Sequence, residues 1–348
     1  MTEKQYGGST GRGTGEKAVT TQNLDTSKSL PKQKTQKDSS QKLGTSKTDK
    51  DEIIQAGKIA SQVRVFAKSI IKTGTPLLEI ANAIEDRILE LGGNPAFPVN
   101  LSIDNIAAHY TPSHEDETLA KGLLKVDFGV HIDGWTADTA FSVDLENSEE
   151  NKKLIKASEE GLNAALELIQ SRLGRAGGAI STSEIGAEIS KTIESNGFSP
   201  VINLSGHGMN QYELHSGINI PNINDGRDNE ISEGLYAIEP FATNGSGRIR
   251  DGKPSEIYEL ISEKNLRSPI AREVLNFIKQ EYDALPFCSR WLIKKFGTKA
   301  LFGLKQLEEN GNIHQFSQLV EIAGSKVSQA EHTILIEKEK VTVTTLEL

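Results

Sequence analysis

The stretch Val126–Phe141 constrains this chain more than any other. It reads Val-Asp-Phe-Gly-Val-His-Ile-Asp-Gly-Trp-Thr-Ala-Asp-Thr-Ala-Phe, two apolar alternations joined at Asp133-Gly134. That junction predicts a two-residue β-hairpin, because a type I′ turn needs φ > 0 at both central positions. Ile132 then faces Trp135, and Gly129 faces Asp138. Asp127 lies diagonal to Asp138 on the same face, while Val126, Phe128, Val130 and Ile132 occupy the other. Two carboxylates thus converge in a strand pair otherwise built for burial. Unpaired burial would be costly, so either a cation lies between them or this face is solvated.

Charge along the chain is uneven. Residues 1–50 hold ten Lys/Arg and five Asp/Glu, a net of +5, which leaves −14 on residues 51–348 against −9 for all 348. The first segment is rich in Ser, Thr, Gly, Gln and Lys and cannot bury a core. It has no apolar signal-peptide core, and no later stretch approaches the roughly 20 apolar residues of a membrane span. The expectation is a cytoplasmic protein with a disordered basic arm over residues 1–48. Such an arm is either a solubilising tail or an electrostatic tether to RNA or ribosomes. The single cysteine, Cys288, excludes an intramolecular disulfide and a thiolate-clustered zinc site.

After Thr48 and Asp51, which resemble a capping pair, Ile53, Ala56, Ala60, Val63, Ala67, Ile70 and Ile71 recur at helical spacing. Thr73-Gly74 ends that helix, and Thr75-Pro76 starts a second as N-cap and first residue. Another helix is predicted from about Ser148 to Leu173, and a fourth from Ser181, with Glu184 placed for a capping box. Strand-like pieces follow around Val201–Leu204, Tyr212–Ile220 and Leu235–Phe241. Two helices then antiparallel strands, twice over, predict an α+β domain of two similar halves covering residues 49–257 and 317–348. Residues 258–316 break the pattern and read as a helical insertion with its own small core, opened by Ser268-Pro269. His332–Ile336 and Val341–Thr344 predict a closing hairpin.

Further ionisable residues stand where a bland reading is uncomfortable. His207 is flanked by Gly206 and Gly208, which permit close approach to a bulky or charged object. His215 follows at an even spacing that would keep both imidazoles on one face of an extended segment. Glu239 ends an apolar run just before Pro240, and Glu331 directly precedes the strand His332–Ile336. His109 sits among Ala107, Ala108 and Tyr110, where a satisfied core histidine is the plain alternative. Asp127, Asp138, His207, Glu239 and Glu331 together supply four negative charges, the balance of two divalent cations.

These residues carry a resemblance. Ala96-Phe97-Pro98, Ala107 through Pro112, Val126-Asp127-Phe128-Gly129, Ala137-Asp138-Thr139-Ala140, Gly206-His207-Gly208, Ile238-Glu239-Pro240-Phe241 and Glu331-His332-Thr333-Ile334 resemble the motifs of type 2 methionine aminopeptidases. These are peptidases of family M24 of the archaeal and eukaryotic kind. Leu285 through Leu292 looks like the insertion that marks type 2. The resemblance covers roughly residues 50–348 and leaves the arm outside.

It implies a pita-bread fold of two pseudo-symmetric halves with a helical, winged-helix-like insertion. It implies two divalent ions (Co, Mn, Fe or Zn), bridged by Asp138 and Glu331. Asp127 would complete one ion, and His207 and Glu239 the other, with a water or hydroxide between the ions as nucleophile. Glu239 would take the proton, His215 would stabilise the oxyanion, and His109 would contact the scissile amide or leaving nitrogen. Phe97 and Leu214 would line the methionine pocket. The implied substrate is the N-terminal methionine of nascent polypeptides with a small second residue. No membrane or DNA partner is implied, and one fold with an internal repeat fits a monomer. Ile257 and Phe316 depart from some relatives, which carry a histidine and a tyrosine there. The rival readings are a prolidase or X-Pro aminopeptidase of the same fold, and a non-catalytic homologue that binds ribosomes or RNA.

Overall fold

The computed structural model describes residues 46–174 and 178–347, so the arm expected over residues 1–48 lies outside the described residues but for its last three positions. Helix α1 (Lys47–Ile70) is followed by α2 (Leu77–Glu90). Short strands β1 (Asn94–Pro95), β2 (Asn100–Ile103) and β3 (Ile106–Ala108) lead into the hairpin of β4 (Leu123–Ile132) and β5 (Trp135–Asp144). A second cycle runs through α3 (Glu149–Leu173), α4 (Thr182–Ser195), β6 (Ser199–Pro200), β7 (Ser205–Asn210) and β8 (Glu213–Pro221). It ends in β9 (Gly234–Ile238) and β10 (Phe241–Thr243). Then come β11 (Ile249–Leu260), α5 (Pro269–Glu281), β12 (Phe287–Cys288), α6 (Ser289–Phe296) and α7 (Lys299–Glu309). Strands β13 (Ile313–Glu321), β14 (Val327–Gln329), β15 (Glu331–Glu337) and β16 (Lys340–Val343) close the chain. Among the described residues, no helix is long and apolar enough to cross a membrane.

The opening hairpin forms in the register that its turn dictates. Ile132 pairs with Trp135 and Gly129 with Asp138, and the turn residues take φ 45° at Asp133 and 81° at Gly134. Strands β1-β4-β5-β15-β9-β7-β8 make an antiparallel sheet, with β2 added on β4 and β16 on β15. Two smaller sheets, β14-β10-β6 and β12-β11-β13-β3, complete the strand set. One face of the large sheet is covered by helix pairs. Val126, Phe128, Val130 and Phe141 pack against Ile59, Val63, Ile80 and Ile84 of α1 and α2. Tyr236, Ile238, Ile334 and Ile336 pack against Ala165, Ile169, Ile189 and Ile193 of α3 and α4. The acidic residues are thereby committed to the opposite face.

Several local expectations shift. The first capping box is Ser46 with Asp49, two residues before the expected Thr48 and Asp51, so residues 46–48 start the helix. Thr75 does not cap α2. Its carbonyl accepts from Ala120 N at 2.8 Å and Pro76 bridges to Leu119, so tertiary pairing takes the backbone that a cap would use. Ser181 with Glu184 and Ser268 with Pro269 do open α4 and α5. Val201–Leu204 is a turn, because Val201 N and Ile202 N bond separately to Phe241 O and Gly247 O. The apolar run Leu235–Phe241 is split at Glu239-Pro240, where the chain leaves the large sheet for a smaller one. Strand β11 was not anticipated; its exposed residues 250–254 include glycine, proline and charges, tolerated in a bulged pairing with β13. Helices α5 to α7 enclose a cluster of Val274, Ile278, Phe287, Leu292, Leu304 and Leu307.

Ser181 accepts from Glu184 N at 3.2 Å while Glu184 accepts from Ser181 N at 3.0 Å. Replacing Ser181 with Ala should lower stability by about 1 kcal/mol in urea unfolding and leave hydrolysis unchanged. An undiminished midpoint would show that the box adds nothing to α4.

Candidate functional site

Strand register gathers the acidic residues into two rows on one sheet face. In the first row Asn100 pairs with Asp127, Asp127 with Ala140, and Ala140 with Glu331. Glu239 stands level with Glu331, one residue past the Ile238–His332 pair. The second row lies two residues along, roughly 7 Å away. There Gly129 pairs with Asp138, Thr333 with Ala237, and Ala237 with His207. Thr333 Oγ1 joins Asp138 to this row, accepting from its N–H and donating to its carbonyl, both at 2.8 Å. Ala140 and Ala237 interrupt the charged side chains and leave space between them. That space is what an ion needs.

His207 Nε2 is 3.8 Å from Asp138 Oδ2 and 3.8 Å from Glu239 Oε1. Those separations are too long for hydrogen bonds. They do fit donors around one cation, since two ligands each at about 2.1 Å can lie at most about 4.2 Å apart. Ligand atoms of Asp138, His207 and Glu331 lie within 4.8 Å of one another. His207 Nδ1 is 3.4 Å from Gly208 O; a carbonyl only accepts, so the ring proton belongs on Nδ1 and Nε2 keeps its lone pair for a metal. Gln329 Nε2 reaches both Asp127 Oδ2 at 3.3 Å and Glu239 Oε2 at 3.4 Å, holding the outer carboxylates.

Burial raises the pKa of Asp138, Glu239 and Glu331 well above the carboxylate range, and their mutual repulsion with Asp127 adds to it. Asp127 is pushed up to about 7 by burial, opposed by the Gln329 hydrogen bond. Burial and the neighbouring His215 push His207 down to about 3. Asp127 Oδ1, Asp138 Oδ1 and Glu331 Oε2 are buried without a hydrogen-bond partner among the described residues. Orphaned, mutually repelling carboxylate oxygens beside an unprotonated imidazole nitrogen are a donor set for divalent cations. The residues present fit such a group.

All nine candidates, Phe97, His109, Asp127, Asp138, His207, Leu214, His215, Glu239 and Glu331, line one cavity of about 250 Å³. Ile257 and Phe316 line it too. His215 does not share an extended segment with His207. The two face each other across the β7–β8 hairpin, ring centroids 4.2 Å apart, because the chain reverses after Asn210. The cavity surroundings lower the His215 pKa by desolvation. His109 follows β3 with φ 62°, its Nδ1 3.3 Å from Ser317 O and its ring edge-on to Phe316 at 5.5 Å. Burial and then His215 push it down to about 4. Phe97 and Leu214 share an apolar cluster with Trp135, Met209 and Leu285.

The glycines act differently from expectation. A Cβ on Gly206 or Gly208 would meet Ala237 O or Ser216 O within 2.4 Å, so they admit neighbouring strands rather than a ligand. A Cβ on Gly129 would fall 2.5 Å from the Phe97 ring. Gly129 thus makes room for the pocket wall, not for Asp138. Sequence reasoning missed Gln329, Asn100 and Thr333. Gln329 lies two residues from Glu331, the period that shares a face along extended chain, which could have marked it. Also missed was Arg64, buried on α1, which donates to Thr139 Oγ1 at 2.8 Å and Ala140 O at 2.7 Å from behind the acids.

Among known proteins, the profile of metallopeptidase family M24 matches residues 51–267. The chain is 45% identical over 302 residues to a methionine aminopeptidase of Pyrococcus horikoshii, covering 85% of this chain and 99% of that one. Its fold is similar to a methionine aminopeptidase from Thermotoga maritima, with a TM-score of 0.60, 20% identity, and 87% and 98% of the chains covered. It is also similar to a thermophilic Arx1, with a TM-score of 0.73, 16% identity, and 86% and 91% covered. The architecture is the pita-bread fold.

With divalent metal chelated away, the carboxylates must be buried without countercharge. Asp127, at about 7 in the fold, has an unfolded value near 3.9. Its raised pKa therefore favours folding only while it is protonated, and that contribution is lost as pH rises through 7. The thermal midpoint of chelated protein should fall between pH 6 and 8, and added divalent metal should restore it more at pH 8 than at pH 6. Equal metal stabilisation at both pH values would contradict this.

Proposed function

The chain belongs to metallopeptidase family M24 and acts as an aminopeptidase on N-terminal methionine, and we propose that its nine cavity residues form a dinuclear hydrolytic site. The observation that carries this is the composition of one cavity, which Asp127, Asp138, His207, Glu239 and Glu331 line together with the apolar Phe97 and Leu214. Asp138 and Glu331 would be shared by two divalent cations. Asp127 would complete one set, and His207 and Glu239 the other. Hard oxygen donors with a single imidazole suit Co, Mn, Fe or Zn. When bound, the ions polarise the peptide carbonyl and lower the pKa of a water so that it can attack near neutral pH.

The chain's own groups do the rest. Glu239, steadied by Gln329, would accept the proton of the attacking water and return it to the leaving nitrogen as the peptide C–N bond breaks, freeing methionine and the shortened chain. His109 carries its proton on Nδ1, facing Ser317 O, which leaves Nε2 as an acceptor for the N–H of the scissile amide or the leaving nitrogen. His215, neutral and open to the cavity, donates to the oxygen that gains charge in the tetrahedral intermediate. Phe97 and Leu214 receive the methionine thioether in an apolar slot. The free α-amino group of the substrate meets the acidic wall, and a chain extended beyond it has no amine to place there. The substrates are nascent polypeptides with a small second residue. The basic arm is either a solubilising tail or an electrostatic tether to RNA or ribosomes; deleting it should weaken salt-sensitive co-sedimentation with ribosomes if it is a tether, and leave it unchanged if it is a tail.

Turnover of Met-Ala and Ala-Pro peptides tests the substrate, and preference for Ala-Pro would overturn the reading in favour of a prolidase. Asp127→Ala should lose bound metal in elemental analysis and hydrolysis with it. His109→Ala and His215→Ala should keep metal and lower kcat by about 10²-fold or more. A wild-type protein that binds no divalent metal would sink the enzymatic assignment.

A further inference from the structure

A buried ion pair from the insertion reaches the active site without touching it. Arg290 of α6 meets Glu85 of α2 in a fork, Nη1 donating to Oε2 at 2.5 Å and Nη2 to Oε1 at 2.9 Å. Trp291 Nε1 donates to the same Oε2 at 2.9 Å. The other Arg290 donors go to Asn82 Oδ1 at 3.1 Å, Pro112 O at 3.2 Å and Thr111 Oγ1 at 3.4 Å. All five N–H groups of the guanidinium are therefore committed. Glu85 Oε1 also accepts from Val99 N at 3.3 Å, and Thr111 Oγ1 donates to Val99 O at 2.8 Å.

The two segments gathered by this pair carry cavity residues. Phe97 and Asn100 flank Val99, and His109 precedes Tyr110-Thr111-Pro112. Leu101 N donates to Tyr110 O at 2.6 Å and ties the segments together. His109 has a left-handed φ of 62°, a conformation that persists only where its surroundings over-determine it. On its N-terminal side Ala108 is paired with Leu319 of β13. On its C-terminal side the fixed points are Tyr110, held through its carbonyl by Leu101 N and through its hydroxyl by Asp116, and then the contacts of Arg290 to Thr111 and Pro112. A buried Arg–carboxylate pair adds little net stability over apolar residues of the same size, whereas it fixes geometry tightly.

We propose that Arg290, through its fork with Glu85, is a positioning residue that holds His109 in register with the leaving nitrogen. The insertion then completes the active site. This rests on the role given to His109 above. A shift of the His109 backbone by about 1 Å is enough to cost roughly 10²-fold in turnover.

The test is a double-mutant cycle on Met-Ala peptide hydrolysis. Glu85→Met with Arg290→Met removes both charges at similar volume, so metal content should stay near wild type, while the melting temperature should fall somewhat because Val99 N, Trp291 Nε1 and Pro112 O lose their partners. The expected result is a kcat lowered by about 10- to 100-fold, with the loss nearly absent when His109 is already Ala. Arg290→Lys keeps the buried charge but lacks the fork, and taken through the same cycle it should show the same dependence on His109. It also decides the matter if the paired variant does not fold. No loss, or an equal loss with and without His109, would overturn the proposal while leaving the role of His109 intact. If His109→Ala alone leaves kcat unchanged, the role of His109 falls and the positioning role falls with it.

Discussion

Four carboxylates and an imidazole share one face of a largely buried sheet, and the rest of the structure answers to that concentration of charge. A lone buried carboxylate is costly, and four within one cavity also repel one another. The sheet meets this in layers. Small residues, Ala140 and Ala237, separate the charged positions along each row. Thr333 ties the backbone around Asp138, and Gln329 holds the outer carboxylates. Arg64 places a buried cation behind Glu331 by way of Thr139, whose hydroxyl donates to Glu331 O at 3.0 Å. The remaining imbalance is what divalent cations neutralise. Because the acids occupy the middle of one face, the helix pairs cover the other, and the layered architecture follows.

How much of this was legible depended on range in sequence. The hairpin of Asp127 and Asp138 could be read residue by residue, since its register is set by two turn residues and its faces by a period of two. Its union with the second half could not. Asp138 and Thr333 meet across 195 residues, and no local pattern fixes a strand order in which β15 is inserted between β5 and β9. There the recognised motifs supplied what periodicity lacked. Glu239 and Glu331 were visible as acids at strand ends, but the reason for their position is topological. The chain crosses between sheets at Glu239-Pro240 and again at Ala330-Glu331, and Ala330 N donates to Pro240 O at 3.2 Å to join the crossings.

The misreadings share one cause. Thr75 looked like a cap and Gly206 and Gly208 looked like ligand clearance, because each was read against its own neighbours. In the folded chain the backbone at 75–77 is claimed by residues 118–120, and the two glycines admit the adjacent strands of their own sheet. Tertiary contacts outrank local propensity wherever both compete for the same groups. Strand β11 is the same effect in reverse. No strand was expected there, since glycine, proline and charge give no strand pattern, yet pairing with β13 holds it extended.

The two walls of the cavity consequently rest on different physics. Asp127, Asp138, His207 and Glu331 are fixed by the ladder of a single sheet, and Glu239 stands just past the end of β9. The less polar lining of the cavity is assembled from Phe97, His109, Leu214, Ile257, Pro286 and Phe316, which come from separate segments. Ile257 is delivered by a bulge of β11 at which Glu256 has φ 68° and accepts from Ser289 Oγ of α6 at 2.5 Å. Phe316 meets the His109 ring in a T-shaped contact and has no hydroxyl, so Ser317 O is the hydrogen-bond acceptor that sets the tautomer of His109. A side chain with a single polar anchor depends on its backbone for aim. That dependence gives a buried ion pair on the far side of the Thr111–Pro112 segment its influence over the chemistry.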